Sequence, residues 1–215
     1  MIHLNKGWMA SLFIIAICCK PTPKTDILPF ITKPDLTPEW ISEGDKNYTS
    51  IHTIPPFEFT NQDGEVVTEK TVEGKIFTAN FIFTRCGSIC PTMTDNIHIL
   101  QTEFMNDPEV IFLSHTVAPW QDSVDVLKKY AQAKGIVSHK WHLLTGDKAA
   151  ISTIAKKEYF AGDSMGYYGN TNDFLHTENV MLIDKKRRIR GVYNGTLPIE
   201  MQRIIEDIRT LKQEE

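Results

Sequence analysis

Residues 75–84, KIFTANFIFT, form a nearly continuous apolar run rich in aromatic and β-branched side chains. Such a run suits a strand buried on both faces at the centre of a sheet. The next stretch of chain narrows the fold further. TRCGSICPT, residues 84–92, carries Cys86 and Cys90, and beyond it Met93, Ile97, Leu100 and Phe104 recur at helical spacing. Pro91 suits the first turn of that helix, where a missing N–H leaves no hydrogen bond unmade. A cysteine pair therefore sits on the loop between a buried strand and the next helix.

The alternation continues to the end of the chain. EVIFLSHTV (109–117) reads as a strand and DSVDVLKKYAQAKG as a helix that stops at Gly135. KWHLLTG is a strand and KAAISTIAKKEYF a helix. NVMLID and RIRGVYNG form a hairpin, and LPIEMQRIIEDIRTLKQ closes as a helix with Ile199, Met201, Ile204, Ile205, Ile208 and Leu211 on or near one face. Upstream, PPFEFTNQDGEVVTEK has a turn at Asp63-Gly64 between two strand-like pieces. Strands alternating with helices predict a layered α/β fold. The position of the cysteines makes it thioredoxin-like: a central mixed sheet, an N-terminal hairpin, and an excursion loop before the last hairpin. The polar, aromatic and Gly-rich stretch GDSMGYYGNTN supplies that loop.

The N-terminus differs in kind. Lys6 precedes an apolar run from Trp8 to Cys19 that is shorter than the roughly 20 residues needed to span a bilayer. It reads as a signal segment over 1–19, and the ending Cys18-Cys19 before KPTPKTD resembles a lipoprotein signal whose cysteine carries lipid. Residues 20–50 hold Pro21, Pro23, Pro29, Pro34 and Pro38 and read as a mostly extended tether, leaving 51–215 as the folded domain. The chain is then exported and membrane-anchored on the outer face, in a setting that permits disulfides. A net charge of −4 over 215 residues gives no basic surface for nucleic acid.

Cys86 and Cys90 would close a very small disulfide loop, which constrains the unfolded chain little, so chemistry explains the pair better than stapling does. A helix N-terminus favours thiolate, and Arg85 adds positive charge beside it. Thiolates exchange disulfides and bind soft metals such as Cu(I). Three intervening residues give both sulfurs room to face one outside point, and the same slack allows a disulfide. Among the histidines, His176 enters the last hairpin from the excursion loop, and in a thioredoxin-like fold that segment lies beside the cysteine loop. Two thiolates and a neutral imidazole suit both copper oxidation states. His115, at the end of the second core strand, is a secondary candidate near the ligand-binding edge. His98 is expected on the surface or in core packing, His52 at the tether's end, and His139 and His142 at exposed or edge positions.

FTRCGSICPTM together with HTENVMLID resembles the Sco (SenC) family of copper-binding, thioredoxin-like proteins, named for synthesis of cytochrome c oxidase. The matching positions are Cys86, Cys90, Pro91, His176 and Asp184, within a resemblance spanning roughly 55–212. The resemblance implies that Cys86, Cys90 and His176 bind a copper ion, Cu(I) or Cu(II). It further implies a copper donor protein, and the copper-bearing subunit of cytochrome c oxidase as recipient. Leu175, Gly87-Ser88, Ala118-Pro119 and the glycine-free turn DKKRR depart from the family pattern without removing a ligand. An exported thiol-disulfide oxidoreductase using the Cys86/Cys90 dithiol, and a thiol peroxidase, remain as alternatives.

Overall fold

The structure, a computed structural model, describes residues 27–162 and 177–214. Two short strands, β1 (Phe30–Ile31) and β2 (Pro38–Glu39), pair antiparallel. After them β3 (Glu58–Thr60) and β4 (Val66–Thr68) form the predicted hairpin, with Gly64 at a positive φ of 80° in its turn. The Asn61 side chain accepts from the N–H groups of Asp63 and Glu65 and holds that turn closed. β5 (Ile76–Ile82) leads through the cysteine loop into α1 (Ile89–Glu103). Next come β6 (Val110–Thr116), α2 (Val124–Lys134), β7 (Trp141–Leu144) and α3 (Lys148–Thr153). β8 (Asn179–Ile183), β9 (Ile189–Asn194) and α4 (Pro198–Leu211) complete the order.

Five strands make one mixed sheet in the order β7-β6-β5-β8-β9. β5, β6 and β7 run parallel, while β8 is antiparallel to β5 and β9 to β8. This is the thioredoxin-like arrangement read from the sequence. All seven residues of β5 are buried, as its unbroken apolar character requires.

Strand alternation divides the interior into two clusters. Ile76 and Ile82 of β5 join Val110 and Phe112 of β6 beneath α1, α2 and α4, which contribute Met93, Ile97, Leu100, Leu127, Ile204 and Ile208. Phe77, Ala79 and Phe81 face the other way, with Ile111 and Leu113, against the hairpin's Phe59 and Val67 and the α3 region. α2 ends as expected, with Gly135 at φ 65° receiving the helix terminus. α3 runs on into a wide turn, Ile154–Glu158, in which the Tyr159 N–H reaches the Ile154 carbonyl.

The structure revises three expectations. Residues 27–39, read as part of the tether, pack against β9. Phe30 and Ile31 are buried, and Arg190 donates to the carbonyls of Leu28 and Pro29 at 2.5 and 3.0 Å. The Arg190 and Arg188 guanidiniums lie 4.1 and 4.7 Å from the centre of the Phe30 ring. Ile199 is exposed, because α4 begins only at Pro198 and its buried face starts with Met201. His142 takes the expected edge position, on β7, and is buried there, with the Asn61 side chain 3.3 Å from its Nδ1.

His115 is the third. Its place in β6 shares parity with Ile111 and Leu113, so its ring lies on the sheet face opposite α1, among Phe59, Phe81 and Tyr159. It is therefore not a neighbour of the cysteines. Both ring nitrogens are buried without a hydrogen-bond partner, and burial lowers the pKa from 6.5 to about 3. The neutral form is thus favoured in the fold. Stability from this group is complete above about pH 6.5 and is lost as pH falls toward 3, at about 1.4 kcal/mol per pH unit. His115→Phe is expected to flatten that part of the stability–pH profile and to raise the acid-side midpoint of thermal unfolding at about pH 4.5. Parallel profiles for the two proteins would contradict this account.

Candidate functional site: the dithiol loop

β5 ends at Ile82, and the chain turns at once, with the Cys86 N–H donating to the Phe83 carbonyl at 3.1 Å. The β5–β6 ladder continues one step further, through the Val117 N–H to the Ile82 carbonyl. The cysteine loop thus leaves from the carboxyl end of a central parallel strand, the usual place for ligands in open α/β sheets. Ser88 precedes the first helical residue, and its side chain makes no cap. The N–H groups of the first turn are free to point into the loop.

Two thiols occupy this corner in unlike settings. Cys86 is partly exposed in the loop, and Cys90 is buried in the first turn of α1; both are free thiols. Partial burial works against ionisation of Cys86. Hydrogen bonds from the Cys90 thiol and from the backbone of Cys90, Ser88 and Ile89 outweigh it, and the Cys86 pKa falls below its ordinary value. Burial pushes Cys90 up to about 12, and its hydrogen bond to Cys86 adds to the rise. Of the two, Cys86 is the more readily ionised, and Cys90 behind it keeps its proton more firmly.

Surrounding groups fix both residues. The Cys90 carbonyl accepts from the Thr94 hydroxyl at 2.9 Å, and that oxygen lies 2.9 Å from the Tyr130 hydroxyl of α2. Thr84, two residues before Cys86, donates its N–H and hydroxyl to Asp122 at 3.2 and 2.6 Å. Neither Asp122 nor Tyr130 stands out in the sequence. Each is a polar residue in or beside a helical segment, and only folding brings it to the loop.

His176 lies outside the described residues, as do Cys18 and Cys19. The chain is described again from Thr177. Val180 pairs with Asn80 of β5, and the Gly195 N–H donates to the Glu178 carbonyl at 2.7 Å. The Asn96 side chain of α1 donates to the Gly195 carbonyl at 2.8 Å. The entry to β8 therefore lies at the same sheet edge as the cysteine loop. Among the described residues, no three His, Cys, Asp or Glu side chains form a metal-holding group.

A mixed sheet with two free cysteines at the junction of its central strand and first helix defines a thioredoxin-like dithiol protein. Its relatives narrow this. The SCO1/SenC family model matches residues 45–213, and the chain belongs to that family. A SCO1/SenC family lipoprotein from Bacillus anthracis is 30% identical, with a TM-score of 0.66, the match covering 75% of this chain and 95% of that one. BsSco is 28% identical with a TM-score of 0.63, covering 76% and 95%; it is a member of the Sco family of cytochrome c oxidase assembly proteins in which a disulfide switch has been identified. Arabidopsis thaliana ScoI, solved with copper bound, shares the fold at 24% identity and a TM-score of 0.56, covering 74% and 98%.

The unequal thiols give a direct expectation. Iodoacetamide at about pH 7 should alkylate Cys86 at least about tenfold faster than Cys90, since the thiolate is the reacting species. Peptide mass spectrometry after brief exposure checks this, and equal labelling of the two would refute the assignment.

Proposed function

We propose that this protein is a copper chaperone that delivers copper to, or maintains, the binuclear copper centre of cytochrome c oxidase. The observation that carries the reading is the dithiol itself. A more readily ionised thiol and a second thiol, with three residues between them, meet where a strand turns into a helix. Two soft sulfur donors at the rim of a fold suit Cu(I), and an added imidazole extends the set to Cu(II). Family membership supports the same reading, as does the kinship with BsSco, itself of a family of oxidase assembly proteins.

Cys86, Cys90 and His176 form the ligand set in this proposal. A docking partner's thiolates take the metal by ligand exchange, and no step requires copper to leave into water. The donor is a copper-carrying protein, and the recipient is the copper-bearing subunit of the oxidase. The N-terminal segment places the domain on the outer face of a membrane, held by lipid at Cys18 or Cys19 or by an anchor. No helix among the described residues is long and apolar enough to cross a membrane, so in this reading attachment belongs to residues before 27.

The unequal thiols also favour a second reading, an exported thiol-disulfide oxidoreductase in which Cys86 attacks a partner's disulfide and Cys90 resolves the mixed disulfide. The two readings separate on His176. Titration of the reduced protein from residue 27 onward is expected to show one copper per chain. His176→Ala should weaken binding at least about tenfold, or about 1.4 kcal/mol. Weak binding that ignores His176, with disulfide turnover intact, would replace the chaperone by the reductase.

A further inference from the structure

Asp122 takes no part in the thiol chemistry, yet it is among the most enclosed charged side chains of the described residues, 1% exposed. It lies on the loop from β6 to α2, and its carboxylate accepts three hydrogen bonds. One oxygen takes the Thr84 hydroxyl at 2.6 Å; the other takes the Thr84 N–H at 3.2 Å and the Thr116 hydroxyl at 2.5 Å. The loop bearing Asp122 is itself tied down. The Asp122 N–H donates to the Ala118 carbonyl at 2.9 Å, and the Ala118 N–H to the Thr116 hydroxyl at 3.0 Å.

This arrangement couples two loops of different origin. Thr116 ends β6, one strand away from the cysteines, whereas Thr84 opens the turn that the Cys86 N–H closes onto Phe83. Both donors of Thr84, main chain and side chain, point to a single carboxylate. Burying a carboxylate is costly, and full satisfaction by three donors is what makes it tolerable. The rest of the loop between Ile82 and Ile89 is more open to water: Arg85, Gly87 and Ser88 are exposed, and Ser88 gives α1 no side-chain cap.

We propose that Asp122 is a positioning residue for the dithiol: through Thr84 it holds Cys86 at a fixed reach from Cys90. Disulfide formation within the protein depends on the effective concentration of one sulfur at the other, and a fastened loop raises that concentration. Freed from Asp122, Cys86 samples positions away from Cys90, and the disulfide becomes less favoured relative to the dithiol. The proposal rests on the dithiol being the reactive site, and it holds for a chaperone and for a reductase alike.

The test is redox equilibration with glutathione, without metal. Each conversion turns two protein thiols and one glutathione disulfide into one protein disulfide and two glutathiones. Asp122→Ala should lower the equilibrium constant for disulfide formation about tenfold, a shift of about 30 mV. Thr84→Val should lower it at least about threefold, because the hydroxyl donor is lost. Thr84→Ser keeps both donors and should stay within about twofold of the unchanged protein. If Asp122→Ala fails to fold, the Thr84 pair decides alone. An equilibrium constant within about twofold of the unchanged protein in folded Asp122→Ala or in Thr84→Val overturns the proposal and leaves the carboxylate a stabilising role only. A Thr84→Ser that falls as far as Thr84→Val overturns it too. Loss of copper binding by the unchanged protein would sink the chaperone reading without touching this measurement.

Discussion

Parallel pairing of β5 with β6 governs the rest of the molecule. Two parallel neighbours cannot be joined by a tight turn, so the chain must cross back over the sheet, and α1 is that crossover. Right-handed crossovers set the start of the helix beside the carboxyl end of the strand it leaves. The free N–H groups of the first helical turn and the loop from β5 therefore meet at one corner. Cys86 and Cys90 occupy that corner, so the chemistry of the site depends on the topology of the sheet.

Within the corner, burial and hydrogen bonding act in opposite senses on two identical side chains. Cys86 has main-chain donors from Ser88, Ile89 and Cys90 and partial contact with water, and its thiolate is favoured. Cys90 faces the apolar cluster beneath α1 and holds its proton. The difference of environment, over four residues of chain, gives two identical side chains opposite pKa shifts. In the proposed function the same pair, fully reduced, presents two sulfurs to a soft metal. Ligand exchange and disulfide exchange, the two readings proposed for the site, would draw on this one arrangement.

The N-terminal segment shows how a few buried groups can dock a chain whose composition suggests a spacer. Prolines extend it, but Phe30 fits beneath two guanidiniums, and Arg190 directs its donors to the carbonyls of Leu28 and Pro29 and to Glu214. Arg190 is 3% exposed, and Asp184, at the end of β8, balances it. The β8–β9 turn beside it contains no glycine; Arg187 takes the left-handed conformation at φ 61°, and the Asp184 carboxylate accepts from the N–H groups of Lys186 and Arg188. A turn that lacks its usual glycine is here held by an aspartate.

Local signals in the sequence were sufficient for most of the elements beyond residue 55, though not for β1 and β2. The apolar run of β5, the helical spacing from Met93 to Phe104, the Gly135 stop and the two closing strands all appear where composition and period place them, because each depends on residues close in the chain. The position of Cys86 and Cys90 at a strand-to-helix junction was legible for the same reason. Tertiary structure decided what depends on parity and on distant partners. His115 turned away from the cysteines because its register in β6 put it with Ile111 and Leu113. Arg190 found carbonyls 161 and 162 residues away, and Asp122 reached Thr84 across 38. Such contacts leave no periodic trace in the sequence, since they arise only once the sheet has set its strand order and brought separate loops to one edge.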